Sequence, residues 1–178
     1  MKHNSLYLCL IAALLLLTAC VQTPEPAPTT EKESAPTIKG VWTIEQIETI
    51  GGPNEGTTAP QATLVIFTDK YYSSVRDTAA KPRLSWKSDT PSEKEILAAS
   101  NGFDADSGTY EFDGSTVVIH PSVANMPNYM SGGKVSFDCQ LEGDNLTLIW
   151  KPGSSVIPGT ELTSVESTET RYKMKRLE

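Results

Sequence analysis

The stretch Val135-Ser136-Phe137-Asp138-Cys139-Gln140-Leu141-Glu142 decides the fold, because its apolar and polar residues alternate strictly. Alternation with a period of two predicts a β-strand with one dry face and one wet face. A turn at Gly143-Asp144-Asn145 leads into Leu146-Thr147-Leu148-Ile149-Trp150, which completes a hairpin. We therefore expect antiparallel pairing, in which one face of the sheet meets the core and the other meets water.

The same pattern recurs along the chain and predicts a meander of short strands. Asp113-Gly114 is a strong turn signal between two such strands. The further predicted strands are Gly40–Ile50, Ala62–Thr68, Tyr71–Arg76, Ser107–Phe112, Thr116–His120 and Thr160–Arg176. We expect an all-β fold, an antiparallel up-and-down β-barrel of about eight strands with one short helix, since closure removes exposed strand edges.

The predicted helix lies between the strands that end near Arg76 and begin near Ser107. Thr90 is the expected N-cap, with Pro91 at the first helical position and Glu93 at the third. The helix continues to Ser100, and Asn101-Gly102 is a good stop signal. Two interpretations remain open: a lid or plug across one end of the barrel, or a crossover on its surface.

The N-terminal segment carries targeting information. Leu6–Leu17 follows Lys2 and is apolar, but it is shorter than the ~20 residues that span a bilayer. It is typical of a secretory signal peptide. Leu17-Thr18-Ala19-Cys20 resembles the lipobox of bacterial lipoproteins. This resemblance implies that residues 1–19 are removed and that Cys20 carries lipid, which would make the membrane a partner of the protein.

Residues 20–37 contain the expected lipidated cysteine followed by a Pro-rich linker, and residues 38–178 form the expected folded domain. The resemblance to lipoproteins implies a cell-envelope location. With Val21 after the cysteine, in a Gram-negative source, it implies the outer membrane facing the periplasm. Removal of Cys9 and acylation of Cys20 would leave Cys139 as the free thiol, which we expect to be a small buried hydrophobe.

Composition excludes one class of partner. The chain has 178 residues, with 15 Lys and Arg against 22 Asp and Glu, and a formal net charge of -7. A nucleic-acid-binding protein needs a basic face for phosphates, so we expect no nucleic-acid partner. The length suits a single domain.

The beginning of the first strand, Gly40-Val41-Trp42, resembles the Gly-x-Trp motif of lipocalins. In that family the Trp closes the floor of the barrel and packs against an Arg from the last strand. Arg176 is the favoured partner over Arg171, because it shares the more apolar face of its strand with Tyr172 and Met174.

A longer stretch is similar to the bacterial lipocalin-like domain family. The motifs that carry this resemblance are Gly108-Thr109-Tyr110, Ile119-His120-Pro121, Met126-Pro127-Asn128-Tyr129 and Gly143-Asp144-Asn145-Leu146-Thr147-Leu148. The resemblance implies a barrel that is presumed to hold an apolar molecule.

Five residues are candidate ligand contacts. His120 is either a polar anchor in the cavity or at its mouth, or a residue that caps a strand end. Tyr110, Tyr129, Phe137 and Trp150 either line a cavity or are ordinary core residues. His3 lies in the expected signal peptide, so His120 is the single histidine of the expected mature chain. We expect no metal site, no cofactor and no enzymatic activity.

Two loops complete the set of candidates. Asn125–Gly133 is either a gate at the barrel mouth or a long hairpin connection. Asp104-Ala105-Asp106 lacks the spacing of a calcium loop, and we interpret it as a solvated turn.

We therefore expect a membrane-anchored lipoprotein whose barrel binds a small hydrophobic ligand in the cell envelope. The alternative is an envelope structural or interaction protein with a filled barrel and no ligand. The sequence does not identify a protein partner.

Overall fold

Alternating side chains build an antiparallel meander in the computed structural model, which describes residues 36–77, 79, 83, 85–159 and 169–178. The expected signal peptide, Cys20 and most of the linker lie outside the described residues. The described strands are β1 (Gly40–Ile50), β2 (Gly56–Thr58), β3 (Ala62–Phe67), β4 (Tyr71–Asp77), β5 (Phe103–Phe112), β6 (Thr116–Ala124), β7 (Lys134–Glu142), β8 (Asn145–Trp150), β9 (Ser155–Val156) and β10 (Glu169–Arg176).

The sheet closes on itself. The hydrogen-bonded order runs β10-β8-β7-β6-β5-β4-β3-β1, and β1 also pairs with β10. Eight antiparallel strands therefore form a closed up-and-down barrel, as the sequence predicts. β2 pairs with β1 and β9 pairs with β7, outside this ring.

The predicted hairpins are confirmed. β7 and β8 pair from Asp138↔Ile149 to Glu142↔Asn145, directly across the predicted Gly-Asp-Asn turn. The turn between β5 and β6 is fixed by Asp113, whose carboxylate accepts hydrogen bonds from the backbone of Ser115 (2.8 Å) and Thr116 (2.7 Å). Gly114 adopts φ 100°, a left-handed conformation that side chains rarely tolerate.

The helix, α1 (Glu93–Ser100), begins two residues later than predicted. Ser92 is the N-cap, because its Oγ accepts from Glu95 N (3.4 Å) while the Glu95 carboxylate accepts from Ser92 N (2.9 Å). This reciprocal pair completes a capping box, so the prediction of Thr90 as the N-cap is wrong. All eight residues of α1 are described and none is buried. The helix is therefore a surface crossover rather than a lid or plug.

Residues 35–178 form a compact unit that contains every described strand and the core. The barrel closes within this unit, which therefore contains what is needed to fold on its own. Among the described residues, no helix has the length and apolar character needed to cross a membrane.

Candidate functional site

One end of the barrel, the floor, is closed by Trp42 of β1 and Arg176 of β10. The two residues are paired across the strands, and Arg176 Cζ lies 4.1 Å from the centroid of the indole ring. Trp42 is fully buried, and its Nε1 donates a hydrogen bond to Ile38 O (2.8 Å). The guanidinium donates to the carbonyl oxygens of Lys39 and Thr37. The stacked pair that the sequence predicts is therefore present at the floor.

Above the floor, apolar side chains fill the barrel. Val117 and Leu146 are fully buried there, and Phe67 packs edge-on against Tyr110, with ring centroids 5.0 Å apart. Cys139 belongs to the same core at 8% exposure, as expected, and burial raises the pKa of its thiol to about 11. A space of about 60 Å³ remains above these residues, with Val65, Leu148 and Met174 in its walls.

The opposite end of the barrel, the mouth, contains a cavity of about 290 Å³. It adjoins the smaller space, since Arg76, Asp106, Ile119, Phe137 and Tyr172 line both. The described side chains that line the cavity are Arg76, Asp104, Asp106, Ile119, Ala124, Asn125, Met126, Tyr129, Val135, Phe137, Trp150, Ser155, Ile157, Thr170 and Tyr172. Its volume is near the lower end of the usual range for ligand pockets, about 300–1,000 Å³.

One wall of the cavity is polar and comes from β4 and β5. Arg76 forms an ion pair with Asp104, which lies directly opposite it in the β4–β5 register. Asp106 lies two residues closer to the floor than Asp104 on β5. Its Oδ2 accepts a hydrogen bond from the Tyr72 hydroxyl (2.5 Å). Burial raises the pKa of Asp106, although the hydrogen bond from Tyr72 opposes that shift. The wall therefore carries two carboxylates and one guanidinium.

The facing wall is aromatic and comes from β7, β8 and β10. Phe137 and Tyr172 pack edge to face, with centroids 6.2 Å apart and an interplanar angle of 81°. Trp150 lines the same wall, and its Nε1 donates to Ser155 Oγ (2.8 Å). Because the indole nitrogen already has a partner, the ring is held in place.

A short segment completes the lining between β6 and β7. The predicted loop Asn125–Gly133 contains a 3-10 helix at Pro127–Ser131, and Asn125, Met126 and Tyr129 line the cavity. Burial raises the pKa of Tyr129, and the nearby carboxylates of Asp104 and Asp106 add to this shift. The Tyr129 hydroxyl is therefore close to the polar wall.

The structure brings together three of the five candidate ligand contacts: Tyr129, Phe137 and Trp150 line the cavity. Tyr110 lies deeper, against Phe67 in the core, and its hydroxyl donates to Thr68 O (2.6 Å). It therefore does not line the cavity.

His120 also lies away from the cavity, which corrects its expected position. Its neighbour Ile119 lines the cavity, so the alternation of β6 turns His120 to the outer face. There its Nε2 lies 3.4 Å from Glu111 Oε1. Val117, Ile119 and Pro121 make the other face of β6 the more apolar one, and this pattern already indicated which face is internal.

Sequence reasoning missed the polar wall. Asp104 and Asp106 are not in a solvated turn, because β5 begins at Phe103 and both side chains line the cavity. They share a strand face with Tyr110 and Phe112, and this apolar face was the sequence signal that the two aspartates point into the barrel. Arg76 similarly shares a face with Tyr72, a buried core residue. In the described part of the chain, no three His, Cys, Asp or Glu side chains form a group able to hold a metal ion.

An eight-stranded up-and-down barrel with a Trp–Arg floor and a cavity at the opposite end is a lipocalin-like barrel. No protein-family model matches the chain, and a search of curated proteins finds no match.

The solved structures that are similar to the chain include two from Bacteroides. A lipocalin-like protein from Bacteroides uniformis has 16% identity and a TM-score of 0.41, over 78% of this chain and 96% of that chain. An uncharacterized protein from Bacteroides eggerthii has 11% identity and a TM-score of 0.40, over 78% of this chain and 98% of that chain. Because both similarities are distant, the description of the fold rests on the strand order, closure and floor of this barrel.

Proposed function

We propose that this protein binds a small, largely apolar molecule inside its barrel, and that lipid on Cys20 holds the barrel at a membrane of the cell envelope. The cavity of about 290 Å³ is the observation that carries the binding proposal. A barrel of about eight strands has room either for its own side chains or for one small ligand. Here side chains fill the floor half, while the mouth half retains space.

The lining supports binding rather than catalysis. Aliphatic and aromatic side chains such as Ile119, Phe137 and Trp150 predominate. The charged groups are on one wall, and the other polar lining residues, Asn125, Ser155 and Thr170, lie elsewhere around the cavity. Burial of an apolar ligand against such a surface stabilises the complex by about 25 cal/mol for each Å² of apolar area removed from water. His120, the histidine that a general acid or base mechanism would use first, lies on the outer face of the barrel.

Binding is tested with residues 35–178 and the neutral fluorescent probe N-phenyl-1-naphthylamine. We expect a saturable rise in fluorescence. Tyr129→Ala, which alters the cavity lining, should change the Kd at least about threefold. Tyr71→Ala is the matched control, since Tyr71 is 56% exposed and does not line the cavity.

Native mass spectrometry of the same unit after incubation with a total lipid and metabolite extract supplies the second readout. A bound small molecule that the Tyr129→Ala variant loses would support the proposal. A bare protein mass, together with no saturable probe signal, would favour the alternative of a filled barrel that acts as an interaction protein.

Membrane attachment is tested separately in cells with the full chain. We expect the wild-type chain and Cys9→Ser to partition with membranes and to incorporate labelled palmitate, because Cys9 lies within the expected signal peptide. Cys20→Ser should lose both properties. Membrane attachment of Cys20→Ser, or a wild-type chain recovered in the soluble fraction, would contradict this part of the proposal.

A further inference from the structure

The two unlike walls of the cavity indicate which chemical class of ligand fits it. The wall from β4 and β5 has the charged groups, whereas the wall from β7, β8 and β10 has aromatic rings. A ligand that satisfies both walls needs a polar group on one side and an apolar body on the other. The following inference rests on the proposed function.

The charged groups of the polar wall do not balance. Among the described lining residues, Asp104 and Asp106 carry carboxylates and Arg76 carries the guanidinium. Arg76 is already engaged by Asp104. Asp106 receives a hydrogen bond from the Tyr72 hydroxyl, which brings no positive charge. The charge of Arg76 also reaches Asp106 and opposes the rise of its pKa, but burial outweighs it. Among the described lining residues, two carboxylates therefore share one guanidinium, and the desolvation of the half-buried Asp106 is only partly offset.

Arg76 is a poor anchor for an anionic ligand in this arrangement. Its Nε has no hydrogen-bond partner among the described residues, but the atom is itself buried and a ligand in the cavity cannot reach it. The Arg76 Cζ lies 5.6 Å from the centroid of the Tyr172 ring, and Asp104 takes up the Nη2 end. An incoming carboxylate would also meet the charge of Asp106.

The aromatic wall, like Asp106, favours a positively charged ligand group. The faces of aromatic rings attract cations, especially where water is excluded. Tyr129 and Trp150 line the cavity, and Tyr129 lies close enough to Asp104 and Asp106 for their charges to affect it. The Tyr172 ring also lines the cavity, but the Arg76 guanidinium already contacts it. A cationic group placed beside Asp106 would thus meet carboxylate oxygens on one side and aromatic rings on the other.

We propose that the cavity selects a small organic cation, an amine or quaternary ammonium group on an apolar body. Its charged group pairs with Asp106 and is flanked by the aromatic wall. The apolar body lies against Phe137, Trp150 and Ile119. Charge-assisted hydrogen bonds and contacts between the cation and aromatic rings then supply selectivity over neutral molecules of the same shape.

Three probes of matched shape test the proposal on residues 35–178: 4-phenylbutylamine, 4-phenylbutanol and 4-phenylbutyrate, measured by isothermal titration calorimetry at neutral pH. We expect the amine to bind about tenfold or more tightly than the alcohol, with the carboxylate weakest. Asp106→Asn keeps the side-chain shape and removes the charge, so it should bring the amine to within about twofold of the alcohol.

Asp138→Asn is the matched control, because Asp138 pairs with Lys151 and does not line the cavity. It should leave the amine preference unchanged. Equal binding of amine and alcohol by the wild type would overturn the cation proposal while leaving small-molecule binding intact, and so would tighter binding of the carboxylate. If none of the three binds, the cation proposal also fails, and the N-phenyl-1-naphthylamine titration decides separately whether the barrel binds any apolar molecule. The comparison of the three probes uses the wild type alone, so it does not depend on whether a variant folds.

Discussion

The floor and the mouth of the barrel are built from the same eight strands but are occupied differently. At the floor, Trp42 is fully buried and Arg176 both stacks on its ring and donates to backbone carbonyls. At the mouth, Arg76 and Asp106 have polar partners in Asp104 and Tyr72 but also line an open cavity. The difference indicates that the floor stabilises the barrel, whereas the mouth keeps desolvated charges and open space that reduce its stability.

The largest expected effect is at the centre of the floor. Trp42→Ala should lower the free energy of unfolding by about 3–5 kcal/mol, because it leaves a large cavity in a packed region. Guanidinium chloride unfolding of residues 35–178 measures this loss. Trp86→Ala is the control, since Trp86 is 52% exposed, and we expect a change below about 0.5 kcal/mol. If Trp42→Ala does not fold, Trp42→Phe should show a smaller loss in the same direction. Similar losses at both tryptophans would remove the special role of the floor.

Arg176→Lys tests the second half of the floor. Lysine keeps the charge but loses the planar stack on Trp42 and the paired donors to Lys39 and Thr37. We expect a loss of about 1–2 kcal/mol in the same unfolding experiment. Arg171→Lys changes an arginine that makes ion pairs with Glu48 and Glu169, and it should cost less than about 1 kcal/mol. A reversed order would contradict the assignment of Arg176 as the floor partner.

Asp106→Asn tests the mouth and should have the opposite sign at neutral pH. Burial raises the pKa of Asp106, so the folded state binds its proton more tightly than the unfolded chain does. The wild type should therefore lose stability as pH rises from about 4 through the folded-state pKa. The total loss is about 1.4 kcal/mol for each unit by which the folded-state pKa exceeds the pKa in the unfolded chain. Asp106→Asn should lack this loss, and should be the more stable protein near pH 7 in urea unfolding at several pH values.

Asp113→Asn is the contrasting control for that pH series. Backbone hydrogen bonds from Ser115 and Thr116 lower the pKa of Asp113, so its stabilising effect is present at neutral pH and is lost as pH falls through the folded-state pKa. Asp113→Asn should therefore destabilise the protein near pH 7. The same sign for the two aspartates would refute the distinction between a half-buried carboxylate at the mouth and a hydrogen-bonded one at a turn.

The last prediction leaves stability unchanged and concerns the reactivity of the Cys139 thiol in the floor half. Because burial raises the pKa of Cys139 from 9.0 to about 11, its thiolate fraction at pH 8 should fall about 100-fold. Reaction of residues 35–178 with a disulfide reagent should be slowed at least that much relative to the unfolded chain. The unfolded unit is the internal control, and equal rates would show that the floor half is open to solvent.

The fold was largely predictable because strand patterns and turns are local. The alternation of Val135–Glu142 and the Asp113-Gly114 turn predicted two hairpins that the structure contains. The helix was predicted with the wrong N-cap, since Thr90 and Ser92 both precede a glutamate by three residues. The local pattern did not distinguish between them.

The candidate site was only partly predictable, because alternation separates two faces, and the internal one can be recognised only by comparing how apolar the two faces are. His120 was expected at the cavity and lies outside it, whereas Asp104 and Asp106 were expected in a turn and line it. A register shift between β5 and β6 adds an extra residue near Ser122, after which Ala124 rather than Val123 lines the cavity. Such a shift has no clear signature in the sequence.

The sequence by itself determined the antiparallel meander and the aromatic residues available to a cavity, and its resemblance to the Gly-x-Trp motif of lipocalins pointed to Trp42 and Arg176 as the floor. The order of strands, the turns and the paired faces all follow from residues close in the chain. Closure of β1 on β10 decided the rest, because it assigned one face of each strand to the interior and brought Arg76, Asp106 and Trp150 around one space. Where the barrel is filled and where it remains open depends on side-chain volumes summed across eight strands, which only the closed sheet brings together.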